Sequence, residues 1–175
     1  MPPGLPVRTL LVGNDVFFNE RITTTTGGQA QLLFIDRSSF SIGPSSEIVI
    51  DEFVYDKNAG TGKLVANATK GVFRFVGGAL SKNEGAVQIR TPTATIGIRG
   101  GVALISVAPE GSTTVTFLYG KAVTVSSSGG TVQLVRPGFA TTISERGGGK
   151  QRQRKSGSGT GHSRVSLRNG IAGRW

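Results

Sequence analysis

Arg99 stands between Ile98 and the pair Gly100-Gly101, a setting in which its planar guanidinium fork can reach a carboxylate or backbone carbonyls. The bland alternative is structural: a half-buried arginine must be paired, and a neighbouring turn supplies partners. Arg74, between Phe73 and Phe75, alternates outward from a phenylalanine face and reads first as a solvated strand residue, with ligand binding as the second reading. Asp36 precedes Arg37 and Ser38, where a short carboxylate accepts backbone N–H groups two residues on and makes a turn. Arg99, Gly100, Arg74 and Asp36 are the candidate binding residues.

The remaining chemistry is thinner. There is no cysteine and one histidine, His162, which excludes disulfides, thiolate nucleophiles, cysteine-ligated zinc or iron–sulfur sites and multi-histidine metal centres. Serine and threonine abound, but a nucleophile needs a base, and His162 sits in a glycine- and serine-rich stretch. The carboxylates Asp36, Glu47, Asp51, Glu52 and Asp56 lack the alternating calcium-loop spacing, so no metal or other cofactor is expected. Adjacent Asp51 and Glu52 in a strand would face opposite ways, which argues against a hydrolase pair. No catalytic residue is assigned and the chain reads as non-enzymatic.

The net charge of +10 is uneven. Residues 1–144 carry 12 Lys/Arg against nine Asp/Glu, whereas residues 145–175 carry eight Lys/Arg against Glu145 alone. Lys150, Arg152, Arg154 and Lys155 form a run that could neutralise phosphates without reading sequence, so nucleic-acid binding through this tail is the alternative function. No aromatic residue interleaves for base stacking, and a solvated charge run is the simpler reading.

Elements that would position these residues are short and β-forming. From Val12 to Ile143 runs rich in Val, Ile, Thr and Phe alternate with Gly, Asn, Asp, Ser and Pro. The runs are Ala30–Ile35, Phe40–Ile42, Ile48–Ile50, Lys63–Thr69, Gly71–Val76, Val87–Arg90, Ala94–Ile98, Val102–Val107, Thr114–Leu118, Ala122–Val125, Val132–Val135 and Ala140–Ile143. The spacing predicts an all-β domain, solenoid-like or sandwich-like, over residues 12–144. Residues 1–11 read as a linker-like segment. Residues 145–175 read as a flexible basic tail that cannot bury a core, although Val165, Leu167, Ile171 and Trp175 could dock on the domain.

Several of these segments, taken in order, resemble the FecR domain family of Gram-negative bacteria. They are Val12-Gly13, residues 19–24 (Asn-Glu-Arg-Ile-Thr-Thr), residues 28–38, Ile42–Ser46, Gly71–Gly78, Ile89–Ala94, Ile96–Gly100 and Gly120 with Lys121-Ala122-Val123. The family often has Arg-Gly-Thr where this chain reads Arg99-Gly100-Gly101. The resemblance implies a β-rich binding or signalling module of the bacterial envelope, with a protein or envelope component as partner. It also implies a periplasmic or envelope location. No export signal is readable after Met1, so the cytoplasm is the alternative if that start is correct. No stretch is long and apolar enough for a membrane helix.

Overall fold

The structure, a computed structural model, describes residues 7–144 and 154–155. It holds strands β1 (Arg21–Thr23), β2 (Ala30–Leu33), β3 (Ser39–Ile42), β4 (Glu47–Asp56) and β5 (Thr61–Val76). A 3-10 turn at Leu80–Lys82 follows, then β6 (Val87–Arg90), β7 (Thr95–Val107), β8 (Thr113–Ser127), β9 (Gly130–Leu134), β10 (Phe139–Ile143) and β11 (Arg154–Lys155). The all-β expectation holds.

Four strands are far longer than the sequence suggests: β4 extends the expected run Ile48–Ile50 to Glu47–Asp56, and three others each fuse two runs. The separate runs expected at 63–69 and 71–76 are one strand, β5; those at 94–98 and 102–107 are β7; those at 114–118 and 122–125 are β8. Each fused strand spans a place where glycine interrupts the period-two pattern. In β7 the buried residues run Ile96, Ile98, then Ala103, Ile105, Val107, so the inward side changes parity across Gly100-Gly101. Glycine in such a pattern looks like a turn; here the ladder continues through it as a bend.

The pairing register divides the ladder into two layers. In the first, β1 pairs β4, β4 pairs the start of β5, and β6, the start of β7, the end of β8 and β9 follow. In the second, β2 pairs β3, β3 pairs the end of β5, and the end of β7, the start of β8, β10 and β11 follow. Strands β5, β7 and β8 therefore pass from one layer to the other within one continuous eleven-stranded sheet. The β7/β8 corner sits at Gly101, which faces Gly120 in register. Both have positive φ (148° and 126°), and a Cβ at either would collide with the carbonyl oxygen of Tyr119 or of Gly100.

All ladders but one are antiparallel, the exception being β5–β6. This is the sandwich-like of the two architectures read from the sequence, since a solenoid stacks parallel rungs. The inward faces join in one apolar core: Ile48, Leu64, Ile89, Ile96 and Val123 from the first layer, and Phe40, Phe73, Phe75, Ile105 and Phe117 from the second. Phe40 is the hub of the aromatic part, its ring centroid 5.2 Å from that of Phe75 and 6.5 Å from that of Phe73.

Two segments expected to lack structure touch the domain. Arg8, in the linker-like stretch, reaches Glu20, and the backbone of Arg154 and Lys155, in the expected flexible tail, pairs with Ala140 and Phe139 of β10. The rest of the tail, including Lys150, Arg152, Val165, Leu167, Ile171 and Trp175, lies outside the described residues.

Candidate functional site

The four candidate residues occupy three separate places. Asp36 is buried at the β2–β3 turn. Its carboxylate accepts the N–H of Ser38 (2.9 Å), the hydroxyl of Ser38 (2.7 Å) and the N–H of Leu80 (3.1 Å), while its carbonyl accepts the N–H of Ala79 (2.8 Å). It staples the turn to the 3-10 turn forty-four residues downstream. The turn expected from the sequence is there; its long-range half was not legible.

Arg99 is on the outward side of the first layer, opposite Ala122, with Gly100 at the corner beside it. It is exposed rather than half-buried, and its Nη1 donates to Glu84 Oε2 at 3.1 Å in the turn before β6. So exposed a pair contributes at most about 1 kcal/mol. Three more ion pairs lie in this layer: Arg21 with Glu47, Lys63 with Glu52 and Arg90 with Asp51. Asp51 also accepts the amide of Asn67, and Asp56 accepts the N–H groups of Asn58 and Ala59. The carboxylates that could have formed a hydrolase pair are thus engaged separately.

Arg74 lies on the outward face of the second layer. Phe73 and Phe75 on either side of it are fully buried, so alternation turns Arg74 out, as the sequence indicates. In register it sits between Ser41 of β3 and Leu104 of β7, and the row continues to Thr116 and Ala140. The neighbouring row runs Leu33, Ser39, Val76, Val102, Tyr119. Leu33 is 78% exposed, Tyr119 71%, Val72 43% and Leu118 40%. No aspartate or glutamate lies in these rows, and among the described residues Arg74 makes no ion pair. The arrangement is an open apolar and hydroxyl-bearing face with one uncompensated guanidinium, fit to receive an apolar surface that brings an acceptor or a π-face.

The sequence pointed to Arg74 but not to its setting. Leu33, Tyr119 and Leu118 were invisible as a group because strands β2, β5, β7 and β8 are brought side by side only by the fold. A readable trace existed in Val72, Val102 and Leu104, apolar residues at alternate positions that period two assigns to the solvent side. The ion pair at the start of the chain was also missed. Glu20, 1% exposed, accepts Arg8 Nε and Nη2, both at 3.0 Å, and the N–H of Phe17 at 2.9 Å. Burial acts to raise the Glu20 pKa, but the Arg8 hydrogen bond and the Phe17 N–H outweigh it and hold the carboxyl below its ordinary value.

One shallow cleft of about 400 Å³ opens beside Thr91–Thr95 and Ser126–Ser128. Its hydroxyls are largely occupied, Thr91 and Thr93 with Thr113, Ser126 with Thr131 and Ser127 with the carbonyl of Gly130. Among the described residues no group of three or more His, Asp or Glu side chains could hold a metal ion. Nor is any helix among them long and apolar enough to cross a membrane.

Comparison with curated proteins finds no match. Two crystal structures, each of a candidate anti-sigma factor from Parabacteroides distasonis ATCC 8503, share the fold with TM-scores of 0.60 at 14% and 13% identity. Both alignments cover 78% of this chain, which spans 59% of the length of those chains. The FecR protein family matches residues 20–132, from Glu20 just before β1 to the middle of β9. With well over half of its length matched, and with the sandwich that carries Arg74 and Arg99 inside that match, this chain belongs to the FecR protein family.

Proposed function

We propose that this chain is a non-enzymatic binding and signalling module of the bacterial cell envelope, working in the periplasm, that recognises a protein partner through the outward face of its second layer. The observation that carries the reading is the composition of the second layer's outward face, where Arg74, which makes no ion pair among the described residues, stands among exposed Leu33, Val72, Leu118 and Tyr119. Family membership and the shared fold with candidate anti-sigma factors support a regulatory role. The separate engagement of Asp51, Glu52 and Asp56 supports the non-enzymatic part. Arg99, Gly100 and Asp36 serve the corner and the turn in this reading, and Arg74 is the contact residue. Nothing in the described residues favours the nucleic-acid alternative.

The test is capture by cross-linking from a bacterial envelope extract, with the full chain, Arg74→Glu, Tyr119→Lys and, on the first layer's outward side, Gln133→Lys. One component should be retained by the full chain and by Gln133→Lys and lost from the other two. Equal retention by all four would move the contact away from this face. Retention of nucleic acid that disappears when residues 145–175 are deleted would make the tail the functional part.

A further inference from the structure

We infer that the free edge of β2 accepts an extended strand of the partner protein, which prolongs the second layer by one strand. The inference deepens the reading of this layer as the partner side and rests on it. Among the described residues β2 pairs with β3 alone. The register shows which backbone groups that pairing leaves over. Phe34 donates its N–H to the carbonyl of Ser38, so Phe34, Leu32 and Ala30 turn their backbone groups towards β3. Gln31 and Leu33, at the alternate positions, turn theirs the other way. The next ladder agrees with this phase. Gly43 donates to the carbonyl of Val72, which puts Ser41 and Ser39, the residues opposite Gln31 and Leu33, in the positions bonded to β5. The N–H and C=O groups of Gln31 and Leu33 therefore point off the edge of the sheet, and among the described residues nothing bonds them.

This pattern specifies the occupant. Donor and acceptor pairs repeating every second residue along an edge are matched by the backbone of another extended chain. Sheet edges are commonly protected from such pairing by a charge or a proline. The edge strands of the first layer have these devices, since β1 opens on Arg21 and β9 is followed by Val135 and then Arg136-Pro137. Residues 22–35, which contain β2, hold neither a charge nor a proline.

Side chains reinforce the choice. Leu33 and Ile35 are both exposed at this edge, and Leu33 begins the row that runs through Ser39, Val76 and Val102 to Tyr119. An apolar residue of the added strand, about 4.8 Å from Leu33, continues that row outward. A second copy of this chain is the poorer occupant, because two chains of net charge +10 repel each other, whereas a segment with acidic flanks is attracted.

Proline separates the edge from the ladder. Leu33→Pro removes an N–H that β3 does not use, so the variant should fold as the parent does but refuse the added strand. The probe is a synthetic peptide of alternating valine and threonine with a glutamate at each end. In the full chain alone, amide exchange should be fast at Gln31 and Leu33 and slow at Leu32 and Phe34. With the peptide in large excess, exchange at Gln31 and Leu33 should slow by about tenfold or more, and exchange at Gln31 should stay fast in Leu33→Pro. Leu33→Lys, which sets a charge on the same edge, gives the same readout should the proline variant fail to fold. Slow exchange at both residues in the chain alone would mean an edge already covered and overturns the inference. So does exchange that the peptide leaves unchanged, or slowing at Gln31 that is equal in the parent and the Leu33 variants. Protection that grows with protein concentration in the absence of peptide would make a second copy the occupant and overturns it too. The two readings fail separately: a component captured by Leu33→Pro but lost from Arg74→Glu keeps the face and removes the edge, and the converse keeps the edge and removes the face.

Discussion

Asp36 and Glu20 are the two carboxylates that the fold buries, and each is held by donors from its own chain. Around Asp36 these are neutral N–H and O–H groups, including the N–H of Leu80 across forty-four residues. Asp36→Ala leaves those donors unpaired in the interior and should cost about 3 kcal/mol, measured by urea unfolding. A loss below about 1 kcal/mol would show that water replaces the carboxylate freely. Around Glu20 the sign of the pH effect follows from a depressed carboxyl pKa. Its stabilising contribution is present above the unfolded value of about 4.3 and fades as pH falls through the lower folded value. Glu20→Gln should therefore be less stable than the parent at neutral pH, with the gap closing only below about pH 4. Urea midpoints across pH give the readout, and a gap independent of pH would assign the effect to packing.

At the scale of elements, the bent strands set what can be changed. Gly101 and Gly120 face one another where β7 and β8 turn the corner, and there is no room for a methyl group between the two backbones. Gly101→Ala should cost about 3 kcal/mol or more, since it adds a positive-φ penalty to a backbone collision. Gly129, in the β8–β9 turn, has no close backbone neighbour and an ordinary φ. Gly129→Ala should therefore change stability by less than about 1 kcal/mol, and equal losses at both positions would mean that the corner does not depend on glycine. The same corner gives a reason for the chain's departure from the Arg-Gly-Thr pattern. On this backbone a threonine at position 101 would strike the Tyr119 carbonyl.

For the whole molecule, strands shared between layers have a thermodynamic consequence. β5, β7 and β8 each contribute to both layers, and one apolar core runs through them, so neither layer can open without tearing strands out of the other. Residues 20–144 should unfold in a single cooperative transition. Strand signal by far-ultraviolet circular dichroism and amide exchange in β4 and β10 should report one stability. Earlier opening of β10 than of β4 by several kcal/mol would show the layers to be separate cooperative units. The same architecture separates the two outward faces, and Arg74 lies in the apolar field of the second, among Leu33, Val72, Leu118 and Tyr119.

The strand class, the outward direction of Arg74 and the Asp36 turn were legible in the sequence because each depends on neighbours within a few residues: alternation about Phe73 and Phe75, or a carboxylate reaching two positions along. The order of the FecR-like segments was legible for the same reason, being a one-dimensional pattern. Strand continuity was not, because a glycine bend and a glycine turn share the same local pattern and differ only in whether the ladder carries on. The choice of sandwich over solenoid depended on which strands pair, and the composition of the site on which strands lie adjacent. Leu33, Arg74, Leu104 and Tyr119 come from four strands spread over more than eighty residues. The chain order of side chains records their periodicity, but long-range hydrogen bonding and burial of a common core decide which of them share a surface.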